Sequence, residues 1–275
     1  MDASGDAGAG AGRSVMPGGL LEGMINHHAG AAVAAGLDPG VVERLREGLL
    51  GEGGEFFARD MEVLWKMLET VLVQARRDPR LGREAPDLLN LACGCCEEGA
   101  VLGAFFGQGR RGVRQFALDL REREIGMGRR RYRATERLFE EAGVPRIRSG
   151  QGAASAVEFV FDDATRLLGY GQIPETFDVV FIRHQNLWFE RKVWQRIYDF
   201  ALHRVAQGGV LIITSYFDRE HLEALAVLRS LGAKVLATCK NPWTRKLDYP
   251  GKTVDRHVAA IVPATAGVGM VVGKG

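Results

Sequence analysis

One stretch constrains this chain more than any other. In residues 88–99, LLNLACGCCEEG, an apolar run breaks into small residues and then into the acidic start of a helix. The pattern predicts a buried strand that turns through a tight loop directly into a helix. Asp119 lies twenty-five positions beyond Gly94 and closes a second apolar run, GVRQFALD. A small-residue turn lets the backbone approach a ligand, and a carboxylate ending the next strand accepts two hydrogen bonds from vicinal ribose hydroxyls. Together they predict an α/β sheet that holds a nucleoside.

The rest of the chain fits that expectation. Beyond residue 82, apolar strands alternate with amphipathic helices, which predicts a mostly parallel sheet covered on both faces. The strands are expected over 88–93, 113–119, 156–161, 177–183, 209–215, 233–239 and 257–263, with helices over 97–106, 121–142, 190–205 and 219–231. In the helix at 190–205, Val193, Trp194, Ile197, Phe200, Ala201 and Val205 form the inward face. The segment between the last two strands, NPWTRKLDYPGKTVDR, has no helical period. A hairpin is expected there, so the last strand runs antiparallel.

Ahead of this domain (83–265), residues 1–15 are a Gly/Ala/Ser-rich tail expected to be disordered, and 16–82 read as a helical extension. Asp38-Pro39 forms an N-cap with proline at the first helical position, ahead of VVERLREGLL. Phe57, Met61, Leu64, Trp65, Leu68, Val71 and Leu72 then recur on one helical face, which either packs on the core or walls a substrate. Residues 266–275 read as a flexible tail.

Composition excludes more than it assigns. With 46% hydrophobic and 25% charged residues and a net charge of +2, the chain has no basic excess that would demand a nucleic acid. No apolar run approaches the roughly 20 residues that span a bilayer. The first residues lack the apolar core of a secretory signal, so a cytoplasmic protein without membrane partners is expected. Of four cysteines, Cys93, Cys95 and Cys96 crowd the loop. Cys93 and Cys96 have the spacing of a redox pair, but small packing residues are what that loop requires, and a zinc site would need a second pair.

Seven strands, this helix placement and the terminal hairpin make the chain resemble the class I S-adenosylmethionine-dependent methyltransferases over roughly 87–263. LNLACGCCEEG resembles that family's first motif, acidic-x-Gly-x-Gly-x-Gly. It keeps Gly94 and departs at Asn90, Ala92 and Cys96, which stand at the acidic, first-glycine and third-glycine positions. The resemblance implies that Asp119 binds ribose, with Leu120 beside it. VEFVFDDATRL resembles the adenine segment, with Asp163 (or Asp162) toward the exocyclic amine and the Ala164 N–H toward the ring. FDVVFIRHQNLW resembles the fourth strand, whose end opens on the transferred methyl group, so Arg183 borders the cofactor there. No Asn-Pro-Pro-aromatic motif follows, so the chain does not resemble enzymes that methylate adenine or glutamine amides.

At that mouth His184 is the candidate general base, with a strand-end wall residue as the alternative. Arg183, Gln185, Asn186 and Trp188 are candidates to orient substrate, and Tyr216 is a second wall residue. Glu97 and Glu98 read as surface residues favoured by the helix dipole. Arg129, Arg130, Arg131, Arg133 and Arg137, interleaved with glutamates, read as a solvated helix face or as a phosphate-tracking stripe. The expected function is methyl transfer from S-adenosylmethionine to an O, N or C nucleophile of a small molecule. The alternatives are an RNA acceptor, a non-catalytic scaffold, and a nicotinamide oxidoreductase, which the terminal hairpin fits poorly. No metal is expected.

Overall fold

The computed structural model describes residues 20–29, 36–50, 54–79, 85–107, 113–144, 148–149, 152–153, 157–165, 173–185, 187–242, 247 and 250–264. Both tails, Asn186 and the side chain of Phe57 lie outside them. Three helices come first: α1 (Leu20–Ala29), α2 (Pro39–Leu50) and α3 (Gly54–Ala75). The sheet domain then runs β1 (Asp87–Leu91), α4 (Gly99–Phe106), β2 (Arg114–Asp119), α5 (Glu122–Glu141), β3 (Val157–Phe161), β4 (Phe177–Ile182), α6 (Leu187–His203), β5 (Val205–Ser215), α7 (Asp218–Ser230), β6 (Ala233–Lys240) and β7 (His257–Pro263). A two-residue hairpin, Arg148–Ser149 with Gly152–Ala153, precedes β3.

The seven strands order as β3-β2-β1-β4-β5-β7-β6. β1 to β5 are parallel, and β7 runs antiparallel between β5 and β6. Reversing β7 has a functional result. His257 pairs with Ser215, so the loop entering β7 arrives at the edge where the parallel strands end.

Both faces of the sheet are covered. On one, Ile197, Tyr198 and Ala201 of α6 and Ala224, Leu225 and Leu228 of α7 pack on Leu89, Phe116, Val180 and Leu211. On the other, α3 buries Met61, Leu64, Trp65, Leu68, Val71 and Leu72 against Leu88, Val179, Phe181 and Ile212. Alternate residues of β1 and β4 thus serve opposite faces, as a period of two requires. At the start of α2, Asp38 Oδ1 accepts the Gly40 N–H at 2.8 Å, which satisfies one free donor of the first turn.

Several element ends differ from expectation for local reasons. β1 stops at Leu91 because Ala92 has φ +52°, and α4 starts only at Gly99 because Cys96 has φ +51°. β4 stops at Ile182, two positions before His184 turns the backbone to φ +57°. Val205, expected inside a helix, instead opens β5, where it pairs with Phe177. α6 contains a break at Glu190 (φ −143°, ψ 54°), so Leu187, Trp188 and Phe189 form a separate opening turn.

Candidate functional site

Strain marks the site before any chemistry does. Among the described residues, five non-glycine positions have positive φ: Arg76, Ala92, Cys96, His184 and Asp255. Four of them lie in the loops at the carboxyl edge of the parallel strands. Each costs about 1 kcal/mol or more, which surrounding contacts must offset, and such costs gather where function fixes the backbone. Gly94, at φ +57°, adopts the same conformation without a Cβ.

On the β1–β2 side the loop closes over Asp119. The Gly94 N–H donates to Asp119 Oδ2 at 2.7 Å. Arg121 donates to Oδ1 from its backbone N–H and from Nε, both at 2.9 Å, and to Oδ2 from its guanidinium at 3.2 Å. Burial alone would raise the Asp119 pKa, but these donors outweigh it and hold the carboxyl below its usual range. α5 presses close behind the loop at Gly128, where a Cβ would come within 2.8 Å of the Cys95 carbonyl oxygen. Leu120 is exposed, at 63%. Asp162 accepts the Asp163 N–H at 2.7 Å, while Asp163 Oδ1 accepts the Thr165 N–H and hydroxyl, closing an Asx turn around buried Ala164.

On the β4–β5 side a buried charge cluster sits beneath the same loop. Arg183 donates to Asp255 at 2.6 and 3.1 Å and reaches Glu98 at 3.4 Å. Glu98 Oε1 accepts a 2.6 Å bond from Asn90 Nδ2, which also approaches Cys96 Sγ at 3.5 Å. Two carboxylates share one guanidinium, leaving one negative charge in excess. Burial raises the Asp255 carboxyl, yet Arg183 and His184 hold it far below the carboxylate range. His184 Nε2 lies 2.8 Å from Asp255 Oδ1. Its ring stacks on Tyr216 with centroids 3.8 Å apart. Burial pushes the His184 pKa down, Asp255 pulls it up and Arg183 pushes it down, with a net lowering. The shift favours the neutral imidazole.

The structure brings Asn90, Ala92, Gly94, Cys96, Asp119, Leu120, Asp162, Asp163, Ala164, Arg183, His184, Trp188 and Tyr216 to one edge of the sheet. Two readings need correction. Glu98, read as a surface residue, is 3% exposed because Cys96 turns it inward onto Asn90 and Arg183. Gln185, a candidate to orient substrate, is 1% exposed and donates to Ser215 Oγ at 2.6 Å. Asn186 lies outside the described residues. Asp255 was missed altogether, since nothing in a hairpin loop announces a carboxylate seventy-two positions from its partner Arg183. All four cysteines are unbridged, and the Cys93 thiol is raised by its hydrogen bond to Cys96 and by burial. Among the described residues no His/Cys/Asp/Glu group is placed to hold a metal.

The strand order and the antiparallel β7 define a Rossmann-like α/β fold whose loop-and-carboxylate edge forms the candidate site. No protein-family model matches the sequence, and no curated protein matches it. Among solved structures the chain is similar to magnesium protoporphyrin IX methyltransferase from Synechocystis PCC 6803, crystallised with S-adenosylmethionine. Identity there is 13% over 80% of this chain and 89% of that one, with a TM-score of 0.48. It is also similar to an S-adenosylmethionine-dependent methyltransferase from Clostridium acetobutylicum (10% identity, 72% and 90% of the chains, TM-score 0.47). A third is the N-methyltransferase NodS from Bradyrhizobium japonicum (15% identity, 71% and 96%, TM-score 0.43). The acceptors in those names belong to those proteins.

Proposed function

We propose that this chain is an S-adenosylmethionine-dependent methyltransferase acting on a small molecule. The observation that carries the reading is Asp119, a carboxylate ending β2 and bound to the N–H of the positive-φ Gly94. Its second partner, Arg121, is 63% exposed, so the guanidinium can swing into water and leave the oxygens to two ribose hydroxyls. Ala92, Gly94 and Cys96 offer backbone at close approach. Leu120, Asp162, Asp163 and Ala164 border the adenine side. Asn90 and Arg183 act from beneath, by holding Glu98 and Asp255.

The charge of the site supports this cofactor over a dinucleotide. Glu97 and Glu98 stand at the start of α4, where a dinucleotide's pyrophosphate would lie and be repelled. The excess negative charge beneath the loop suits a cationic ligand instead. When bound, S-adenosylmethionine supplies a methyl group on a sulfonium, so the protein's work is largely positioning. An RNA acceptor finds less support in α5, where Arg129 donates to the Phe159 carbonyl and Arg131 pairs with Glu97.

Calorimetric titration with S-adenosylmethionine, S-adenosylhomocysteine and NAD tests the reading. Micromolar binding of both sulfur nucleosides, weakened in Asp119→Ala, is expected. Binding of NAD alone would move the chain to the oxidoreductases, and binding of none would favour a scaffold.

A further inference from the structure

We infer that the methyl acceptor is an uncharged aromatic ring bearing a hydroxyl, which His184 deprotonates while Asp255 fixes the imidazole; this rests on the methyltransferase reading above. Three observations converge on it.

The first is the His184–Asp255 contact. His184 Nε2 lies 2.8 Å from the Asp255 carboxylate and 3.4 Å from the Asp255 backbone nitrogen. A carboxylate only accepts, so the shorter contact requires the proton on Nε2. Nδ1 then carries the lone pair. Arg183 keeps Asp255 ionised from the other side, and Thr214 Oγ1 accepts the His184 N–H at 3.3 Å. The ring is oriented by the Asp255 contact and the Tyr216 stack, with its proton held on Nε2. That is a base without an assigned proton. Amine acceptors that are already neutral do not need one, whereas a hydroxyl does.

The second is a run of aromatic rings leading outward from that base. His184 stacks on Tyr216 at 3.8 Å, Tyr216 meets Phe217 edge-on at 6.4 Å, and Phe217 meets Trp188 at 4.6 Å. Trp188 is 42% exposed and Phe189 82% exposed. The break at Glu190 holds both on their own turn beside the mouth instead of letting them continue the α6 face. Large exposed aromatics beside a partly buried base form a surface on which a planar ring can stack.

The third is charge. Arg183, next to the base in sequence, is 9% exposed and donates three of its five N–H groups to Glu98 and Asp255, so an acidic acceptor meets a guanidinium already neutralised by two carboxylates. A carboxylate or phosphate acceptor would instead meet the excess negative charge.

The transfer balances. The acceptor's O–H proton passes to His184 Nδ1 as its oxygen forms the O–CH3 bond. The S–CH3 bond breaks with its electron pair on sulfur, giving a methyl ether, neutral S-adenosylhomocysteine and an imidazolium that returns its proton to water. His184 is the catalytic residue, and Asp255 is a positioning residue.

The test keeps the two levels apart. Binding of S-adenosylhomocysteine is measured first. The loaded protein is then titrated with 2-naphthol, 4-methylcatechol, benzoate, benzylamine and a tRNA, the Trp188 signal being read as the difference in tryptophan fluorescence between the unmodified protein and Trp188→Phe, and each is assayed for methyl transfer from S-adenosylmethionine. The two phenols are expected to quench Trp188 and to yield methyl ethers. His184→Gln should lower kcat about 100-fold with S-adenosylhomocysteine affinity unchanged. Trp188→Ala, at an exposed position, should raise KM. Nitrogen NMR of the His184 ring should show protonated Nε2, with the proton moved to Nδ1 in Asp255→Asn. If the nucleoside binds but neither phenol does, or if benzoate, benzylamine or tRNA takes the methyl group instead, the inference falls and the methyltransferase reading stands. If the nucleoside itself fails to bind, both fall.

Discussion

The two halves of the candidate site each hold a carboxylate at the sheet edge, and they hold it in opposite ways. Asp119 is paired with Arg121, whose side chain is 63% exposed and stands two positions away. Asp255 is wholly buried and paired with Arg183, at 9% exposure, and with His184. An exposed pair contributes about 0–1 kcal/mol and exchanges readily with water. A buried pair is fixed, because removing either partner strands a charge in low dielectric. The first arrangement suits a carboxylate that must change partners when a ligand arrives. The second suits one that holds another residue in place.

The largest effect should come from breaking the fixed half. Arg183→Met would leave Glu98 and Asp255 buried without their cation, and should cost about 3–5 kcal/mol in urea denaturation. Adding Glu98→Gln and Asp255→Asn to that variant should restore most of the loss, because it removes the stranded charges. A single-variant cost below about 1 kcal/mol would mean that the cluster is hydrated, and the contrast with Asp119 would disappear.

Next in size, Asp119→Ala should weaken S-adenosylhomocysteine by about 3 kcal/mol, near a hundredfold in Kd, through two lost charge-assisted bonds to ribose. Calorimetry reads the Kd, and urea denaturation reads whether the fold is kept. An affinity loss under threefold would show that Asp119 serves only the loop.

The same contrast explains how much could be read in advance. Gly94 and Asp119 were legible because one strand–loop–helix unit links them to the apolar runs of β1 and β2. The antiparallel β7 followed from the absence of a helical period in residues 241–256, which made the last two strands a hairpin. The fixed half was not legible. Glu98 and Arg183 are 85 positions apart, and Asp255 reaches the edge only because β7 is reversed. Glu98 looked like a dipole-favoured surface residue because periodicity reports faces of helices, and it precedes the first turn of one. Its inward direction comes from the left-handed Cys96, a conformation that cysteine rarely adopts and that no pattern announces.

A smaller effect should separate the halves by pH. Glu220 opens α7 and accepts the Tyr216 N–H at 3.1 Å, beside the His184 stack. Burial pushes its carboxyl up to about 7, against backbone bonds from Tyr216 and Phe217 that lower it. A raised acid stabilises the fold fully below its unfolded pKa of about 4.5, and that stability is lost as pH rises through 7. Its neighbour His221 is pushed down to about 3 by burial and by His257, so its contribution is lost as pH falls below 6.5. Glu220→Gln should therefore gain about 1 kcal/mol at pH 8 relative to pH 5, read as Tm. Equal gains at both values would show that Glu220 titrates normally.

The smallest effect is the most discriminating. If Asp119 is held by an exchangeable partner, Arg121→Ala should change stability by no more than about 0.5 kcal/mol. The Gly94 N–H and the residue-121 backbone N–H keep one bond to each oxygen and water can replace the guanidinium, so the loop should survive. S-adenosylhomocysteine should bind at least as tightly as to the unmodified protein, since no guanidinium must first be displaced. The gain should shrink at high salt, where the ion pair is already screened. Weaker binding in Arg121→Ala would mean that the arginine itself contacts the nucleoside. Asp119 and Arg121 would then act as a fixed unit, and the two halves of the site would be built alike.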